Sequence, residues 1–176
     1  FKMSRLKGLF ITFEGGEGVG KSSLLNVLSK HLTEKGISTL KTREPGGTPI
    51  GEKIRNIFNH PPQEEKWTPL GELLMISALR VQHLVNLISP NIEKGVWVLC
   101  DRFFDSSTVY QGHLGEVSID LVHFLNKTVT NDRLPDITFL LDADFETCQN
   151  RLKLRSNEKT RFDSLERKKH EIIKAI

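Results

Sequence analysis

The stretch Glu14-Gly15-Gly16-Glu17-Gly18-Val19-Gly20-Lys21-Ser22-Ser23 restricts this chain more than any other. From Gly15 to Ser22 it reads G-x-x-x-x-G-K-S. A β-prone run, Leu9 to Phe13, stands before it, and a helical pattern from Leu24 to Leu32 follows. Gly15, Gly18 and Gly20 let the backbone turn its N–H groups toward an oxyanion, and the positive end of the next helix adds to that field. Gly16, Glu17, Val19 and Ser23 complete the loop. Lys21 is placed to reach the β- and γ-phosphates and Ser22 to hold Mg²⁺, so the chain handles a nucleoside triphosphate.

The rest of the chain fits one α/β domain around that loop. Its 176 residues are enough for a single core. Ser38 to Thr42 predicts a second strand, after a helix ending near Gly36, and the Pro/Gly-rich segment Arg43-Glu44-Pro45-Gly46-Gly47-Thr48-Pro49 leaves its carboxyl end, where ligands of open α/β sheets bind. Ile50 to Phe58 predicts a short helix, Asn59 to Thr68 a loop, and Leu70 to Glu93 a long helix interrupted at Pro90. Arg80 breaks the apolar face of that helix, either as a charge reaching solvent or as a site residue. Val96 to Cys100 is a buried-type strand followed by Asp101-Arg102, a Walker-B arrangement in which the acid orients Mg²⁺. Ile119 to Val129 predicts a helix, Ile137 to Asp142 a fourth strand and Phe145 to Leu154 a last helix. The alternation predicts a three-layer αβα P-loop NTPase fold with a mainly parallel sheet and helices on both faces. Arg151, Arg155 and Arg161 bracket a polar loop, so a lid near 151–161 that brings guanidinium groups to the transferring phosphate is expected.

With 25 Lys and Arg against 22 Asp and Glu, the balance of +3 gives no case for nucleic acid. Cys100 and Cys148 read as reduced thiols, and the histidines have no metal-ligand spacing, so they are taken as surface or packing residues. No apolar run reaches the length of a membrane span by this reading. Many arginines near strand ends without a catalytic histidine favour a phosphate acceptor, which is already an anion near pH 7 and needs no general base.

Taken together, the Gly15 to Ser22 loop, Thr42-Arg43-Glu44-Pro45-Gly46-Gly47-Thr48, Asp101-Arg102-Phe103 and Tyr110-Gln111-Gly112 resemble bacterial thymidylate kinase in order and spacing, from Leu9 to Ile176. The resemblance implies transfer of the ATP γ-phosphate to dTMP, in the cytoplasm and in a homodimer. It implies that Arg102 and Arg55 hold the dTMP phosphate and that Arg80 faces the thymine and phosphate region. Ser107 and Gln111 would line the base, Tyr110 would crowd a ribose 2′-OH, Glu17 would meet the 3′-OH, and Glu44 would support the phosphate and magnesium region. Ser22 and Asp101 would hold Mg²⁺, and Lys21, Arg102 and a lid arginine, Arg155 first and Arg151 second, would be catalytic. Ile76 stands where the family usually stacks an aromatic ring on thymine. The segment from Gly112 to Val117 lacks the family's glycine-arginine loop, and the family's last strand and helix are not found before Ile176. The rival readings are another P-loop nucleotide or nucleoside kinase, with dUMP, dCMP or a nucleoside as acceptor, and a GTP-binding switch. The switch is disfavoured because Asn126-Lys127-Thr128-Val129 departs from N-K-x-D and falls in a predicted helix.

Overall fold

A computed structural model describes residues 7–62 and 65–154. Four strands, β1 (Phe10–Glu14), β2 (Thr39–Arg43), β3 (Trp97–Asp101) and β4 (Ile137–Leu140), form one sheet in the order β2-β3-β1-β4. Every pairing is parallel, with Phe10 opposite Val98 and Thr12 opposite both Cys100 and Thr138. β1 is buried along its whole length because both of its faces are covered. Ile11 and Phe13 point to the core under α1 (Lys21–Glu34), where Leu25 and Leu32 pack, while Phe10 packs with Leu84, Ile88 and Ile92 on the other face. The three-layer reading therefore holds.

α1 begins at Lys21 rather than Leu24, so the Lys-Ser-Ser of the loop is already the first helical turn. It ends at Glu34, and Gly36, just past its cap with φ 78°, allows the Ile37 N–H to return to the Leu32 carbonyl at 3.0 Å. α2 (Pro49–Asn59) and α3 (Pro69–His83) start alike, each with a threonine cap, Thr48 and Thr68, accepting from a glycine N–H and followed by proline.

Pro90 does not interrupt the long helix, contrary to the sequence expectation. α3 continues through a π-helical turn at Leu84–Ile88 into α4 (Ser89–Glu93), and the Ser89 N–H bonds the Leu84 carbonyl. The wider turn accommodates a residue that lacks an N–H, and Asn91 Nδ2 bonds the Leu87 carbonyl at 2.7 Å. The 25-residue helix Pro69–Glu93 also corrects the expectation that nothing reaches membrane-span length. It is a core helix, since Glu72, Arg80 and His83 on it are buried in polar contacts with the rest of the domain.

After β3 the chain forms a short α5 (Phe104–Ser107), a second π-helical segment (Thr108–His113) and α6 (Ile119–Thr130). α7 (Phe145–Leu154) follows β4, starting where the sequence predicts and running to Leu154, the last described residue.

Candidate functional site

The loop between β1 and α1 is shaped by its glycines. Gly18 has φ 79°, and a Cβ there would stand 2.6 Å from the Cys148 carbonyl oxygen of α7. Gly15 has φ 137° and would place a Cβ 2.3 Å from the Leu141 carbonyl oxygen. Both positions thus demand glycine twice over, for backbone conformation and for space. Lys21 is buried and folds back on its own loop, donating from Nζ to the carbonyls of Gly15 at 3.0 Å and Gly16 at 2.7 Å. Arg151 of α7 lies over the same loop and donates to the carbonyls of Gly18 and Val19 at 3.2 and 3.1 Å.

Ser22 donates from Oγ to Asp101 Oδ2 at 2.8 Å, joining the start of α1 to the end of β3. A hydroxyl and a carboxylate side by side are the hard oxygen donors that Mg²⁺ takes. Among the described residues no cluster of three His, Cys, Asp or Glu side chains forms a further metal site.

Arg102, directly after β3, has φ 72°, a left-handed conformation rare for a residue with a side chain. The bend turns its guanidinium to Glu17 Oε1 at 2.6 Å and Ser106 Oγ at 3.1 Å, with Cζ 5.1 Å from the Tyr110 ring centroid. Burial alone would depress its pKa, but the charges of Glu17, Glu14 and Asp101 outweigh burial and raise it, so Arg102 is a fixed cation. Glu14, at the end of β1, accepts from the Phe103 N–H and from Ser106 Oγ, both at 2.7 Å, and so braces this bend. Burial pushes its carboxyl above the ordinary value, against those hydrogen bonds. Sequence reasoning missed Glu14 as a bracing residue; the available signal was a carboxylate inside an otherwise apolar strand.

Arg80 does not reach solvent. At 1% exposure it donates from Nε to Glu44 Oε2 at 2.7 Å, from one terminal nitrogen to Asn126 Oδ1 at 2.9 Å and from the other to Ser107 Oγ at 3.0 Å. His83, one turn on, is equally buried between Glu44 Oε1 at 3.1 Å and Thr42 Oγ1 at 2.7 Å. Burial pushes the Glu44 carboxyl up, but the Arg80 charge and the contacts with His83 prevail and hold it below the usual value. His83 was legible only as a packing residue, and Asn126, considered above for its N-K start, is committed to Arg80.

One cavity of about 250 Å³ is lined by Lys21 and Ser22, by Arg55 and Arg102, and by Ile76, Arg80, Ser107, Tyr110 and Gln111. Glu17, Gly18, Gly20, Glu44 and Asp101 line it as well, as do Arg43 and Pro45 from the segment expected at the ligand-binding end of β2, while Phe103 and Ser106 were not anticipated. Gly15, Gly16, Val19 and Ser23 do not line it, and Ser23 is exposed on α1. Arg55 donates to the Pro45 carbonyl at 2.7 Å, and burial lowers its pKa. Ile76 packs beside Phe58, which stacks on Trp67, so the aromatic surface lies one layer behind the cavity wall. Arg155 and Arg161 lie outside the described residues, as does most of the expected 151–161 lid.

The family model for thymidylate kinase matches residues 13–175. The chain belongs to the thymidylate kinase family. It is 41% identical over 169 residues to thymidylate kinase of Oceanobacillus iheyensis, covering 96% of this chain and 75% of that protein. To thymidylate kinase of Rhodopseudomonas palustris it is 44% identical over 161 residues, covering 90% and 70%. The crystal structure of thymidylate kinase from Ehrlichia chaffeensis superposes with a TM-score of 0.72 at 38% identity, over 84% of this chain and 83% of that one.

Proposed function

We propose that the protein transfers the γ-phosphate of ATP to dTMP, giving dTDP, with Mg²⁺ at Ser22 and Asp101. The observation that carries this reading is the cavity that a P-loop lysine lines together with Arg55, Arg102, Arg80, Ser107 and Gln111. The loop N–H groups and Lys21 hold the donor phosphates, and Lys21 exchanges its loop carbonyls for them. Arg102 and Arg55 clamp the acceptor phosphate, which is a dianion near pH 7 and attacks without a general base. Arg151, already over the loop, and Arg155 supply the lid's positive charge as negative charge spreads over the transferring group. The metal, when bound, neutralises charge on the donor phosphates.

Glu17 orients Arg102 and faces the sugar, Glu44 holds Arg80 at the base, Ser107 and Gln111 line the base, and Tyr110 closes the space beside the ribose. Cys100 and Cys148, buried and not joined in a disulfide, fit a reducing compartment, so we place the enzyme in the cytoplasm with its nucleotides. The exposed apolar side chains of α3 and α6 fit a homodimer.

Steady-state ADP production from ATP and Mg²⁺ with dTMP, dUMP, dCMP, UMP and thymidine compared side by side tests the reading. Preference for dTMP by at least tenfold in kcat/KM over the others is expected. A higher value for another acceptor overturns the substrate, and GTP binding without transfer overturns the reaction.

A further inference from the structure

His83, the last residue of α3, is buried at 0% exposure and takes no part in the proposed transfer. Its ring stands between a hydroxyl and a carboxylate, with Nε2 2.7 Å from Thr42 Oγ1 and Nδ1 3.1 Å from Glu44 Oε1. A carboxylate only accepts, so Nδ1 donates to Glu44. A hydroxyl–imidazole–carboxylate chain can make a nucleophile, but Gly47 lies directly against this one. A Cβ on Gly47 would stand 2.3 Å from Nε2 and 2.6 Å from Thr42 Oγ1. The ring is therefore the back support of the turn Glu44-Pro45-Gly46-Gly47. In front, the same turn seats α2. The Pro45 carbonyl accepts from Arg55 at 2.7 Å, the Gly47 N–H donates to Glu52 Oε1 at 2.9 Å, and a Cβ on Gly51 would meet the Gly46 carbonyl oxygen at 2.6 Å. Pro45 and Arg55 line the cavity, whereas His83 does not.

We infer that His83 is a positioning residue for the acceptor phosphate: it fixes the 44–47 turn from behind and so sets where α2 holds the Arg55 guanidinium. The inference rests on the dTMP kinase reading, in which Arg55 clamps that phosphate, and names what aims the clamp. Without the ring, Glu44 Oε1 and Thr42 Oγ1 lose a partner and a space opens behind Gly47. Arg80 depends on His83 less, because Asn126 and Ser107 hold it as well as Glu44. The base side of the cavity therefore stays in place, and the shift passes along the turn to Pro45 and Arg55. A bond between guanidinium and phosphate is directional, so a small displacement of Arg55 weakens the phosphate contact without disturbing the base.

The test reads the contribution of the acceptor phosphate as the ratio of the thymidine to the dTMP dissociation constant, alongside steady-state kinetics. It compares wild type with His83→Leu, His83→Asn, Thr42→Val, Arg55→Ala and the His83→Leu/Arg55→Ala double variant. His83→Leu should lower the ratio at least threefold and raise the KM for dTMP, with the thymidine dissociation constant and the KM for ATP within about twofold of wild type. His83→Asn, whose amide takes the place of Nδ1 and still donates to Glu44, should recover at least half of that loss on a logarithmic scale. The double variant should lose about as much as Arg55→Ala alone, since both changes act through one guanidinium. A smaller fall in His83→Leu, equal weakening of thymidine, dTMP and ATP, or additive losses in the double variant overturns the inference. Should His83→Leu fail to fold, Thr42→Val removes only the hydroxyl that meets Nε2 and should lower the ratio at least twofold; a smaller fall there overturns it as well. A wild-type ratio in Arg55→Ala removes Arg55 from the phosphate, and the inference with it. A wild-type enzyme that transfers nothing to dTMP overturns the functional reading and the inference together, whereas wild-type preference for dTMP with unchanged His83 variants overturns the inference alone.

Discussion

Arg102 joins two demands that a single residue rarely meets, a left-handed backbone and a charge held in place. Its φ of 72° is unfavourable for any residue with a Cβ, so the carboxylates around it and the Glu14 brace must stabilise the bend. Arg102→Ala should lower kcat/KM for dTMP at least tenfold, about 1.4 kcal/mol of transition-state stabilisation, through loss of a charge-assisted phosphate contact. Arg102→Gly should lose as much activity yet melt at a higher temperature than Arg102→Ala, because glycine accepts the same φ at about 1 kcal/mol less strain. Steady-state kinetics and thermal melts on the two variants separate the roles; equal melting temperatures would argue against strain at this position. Lys21, Ser22 and Asp101, singled out from local patterns, were legible as cavity residues, and all three line it. Glu14, Ser106 and Glu72 were not, because their partners lie 92, 92 and 39 residues away for Ser106, Glu14 and Gln111 in turn, and only the fold brings them together.

Among the elements, the long helix through Pro90 carries most of what the sequence left open. Its period showed which face is apolar, but periodicity alone does not reveal that a π-helical turn lets the helix continue past proline. Nor does it distinguish an arginine reaching solvent from one pinned by a carboxylate on a neighbouring loop. Glu44 makes that pin by holding Arg80 and His83 from the end of β2. Its carboxyl has a pKa below the usual 4.5 in the folded protein, so the folded state binds this proton less readily than the unfolded one. The stability it contributes is therefore complete above about pH 4.5 and is lost as pH falls toward the depressed folded value. Glu44→Gln leaves the Arg80 charge without its ion-pair partner, at a cost of about 3 to 5 kcal/mol near neutrality, on the order of 10 °C in Tm for a domain of this size. Melts from pH 7 down to pH 3 should show the gap between wild type and Glu44→Gln narrowing below pH 4.5. Glu52 is also held below its usual value, by Arg43, but that contribution is common to both proteins and cancels in the difference. A gap that stays constant across the range would show that Glu44 takes up its proton equally in both states.

On the scale of the whole molecule, the sheet buries β1 completely and the middle of β3, yet the helical layer on one side leaves a wide apolar surface. Leu70, Leu74, Val81 and Val85 recur along one stripe of the long helix, and all are exposed, Val85 at 62%. α6 packs beside α3 and adds Leu121 and Phe124, the latter 65% exposed. Scattered apolar side chains on a surface need no explanation, but a stripe sustained over four helical turns, beside further exposed apolar residues on the adjoining helix, is the kind of surface the proposed homodimer would use. Two helices that present the same stripe on two copies can pair about a twofold axis, each stripe meeting its own equivalent. The opposite side of α3 bears Arg80 and reaches the cavity, so pairing there would stiffen the helix that supports the base wall. Sedimentation of the wild-type protein at micromolar concentration should give a dimer, and Val85→Lys/Phe124→Glu should sediment as a monomer with a raised KM for dTMP. A wild-type monomer would leave the stripe without this partner; a monomeric variant with unchanged KM would confine the stripe's role to assembly and separate it from the site.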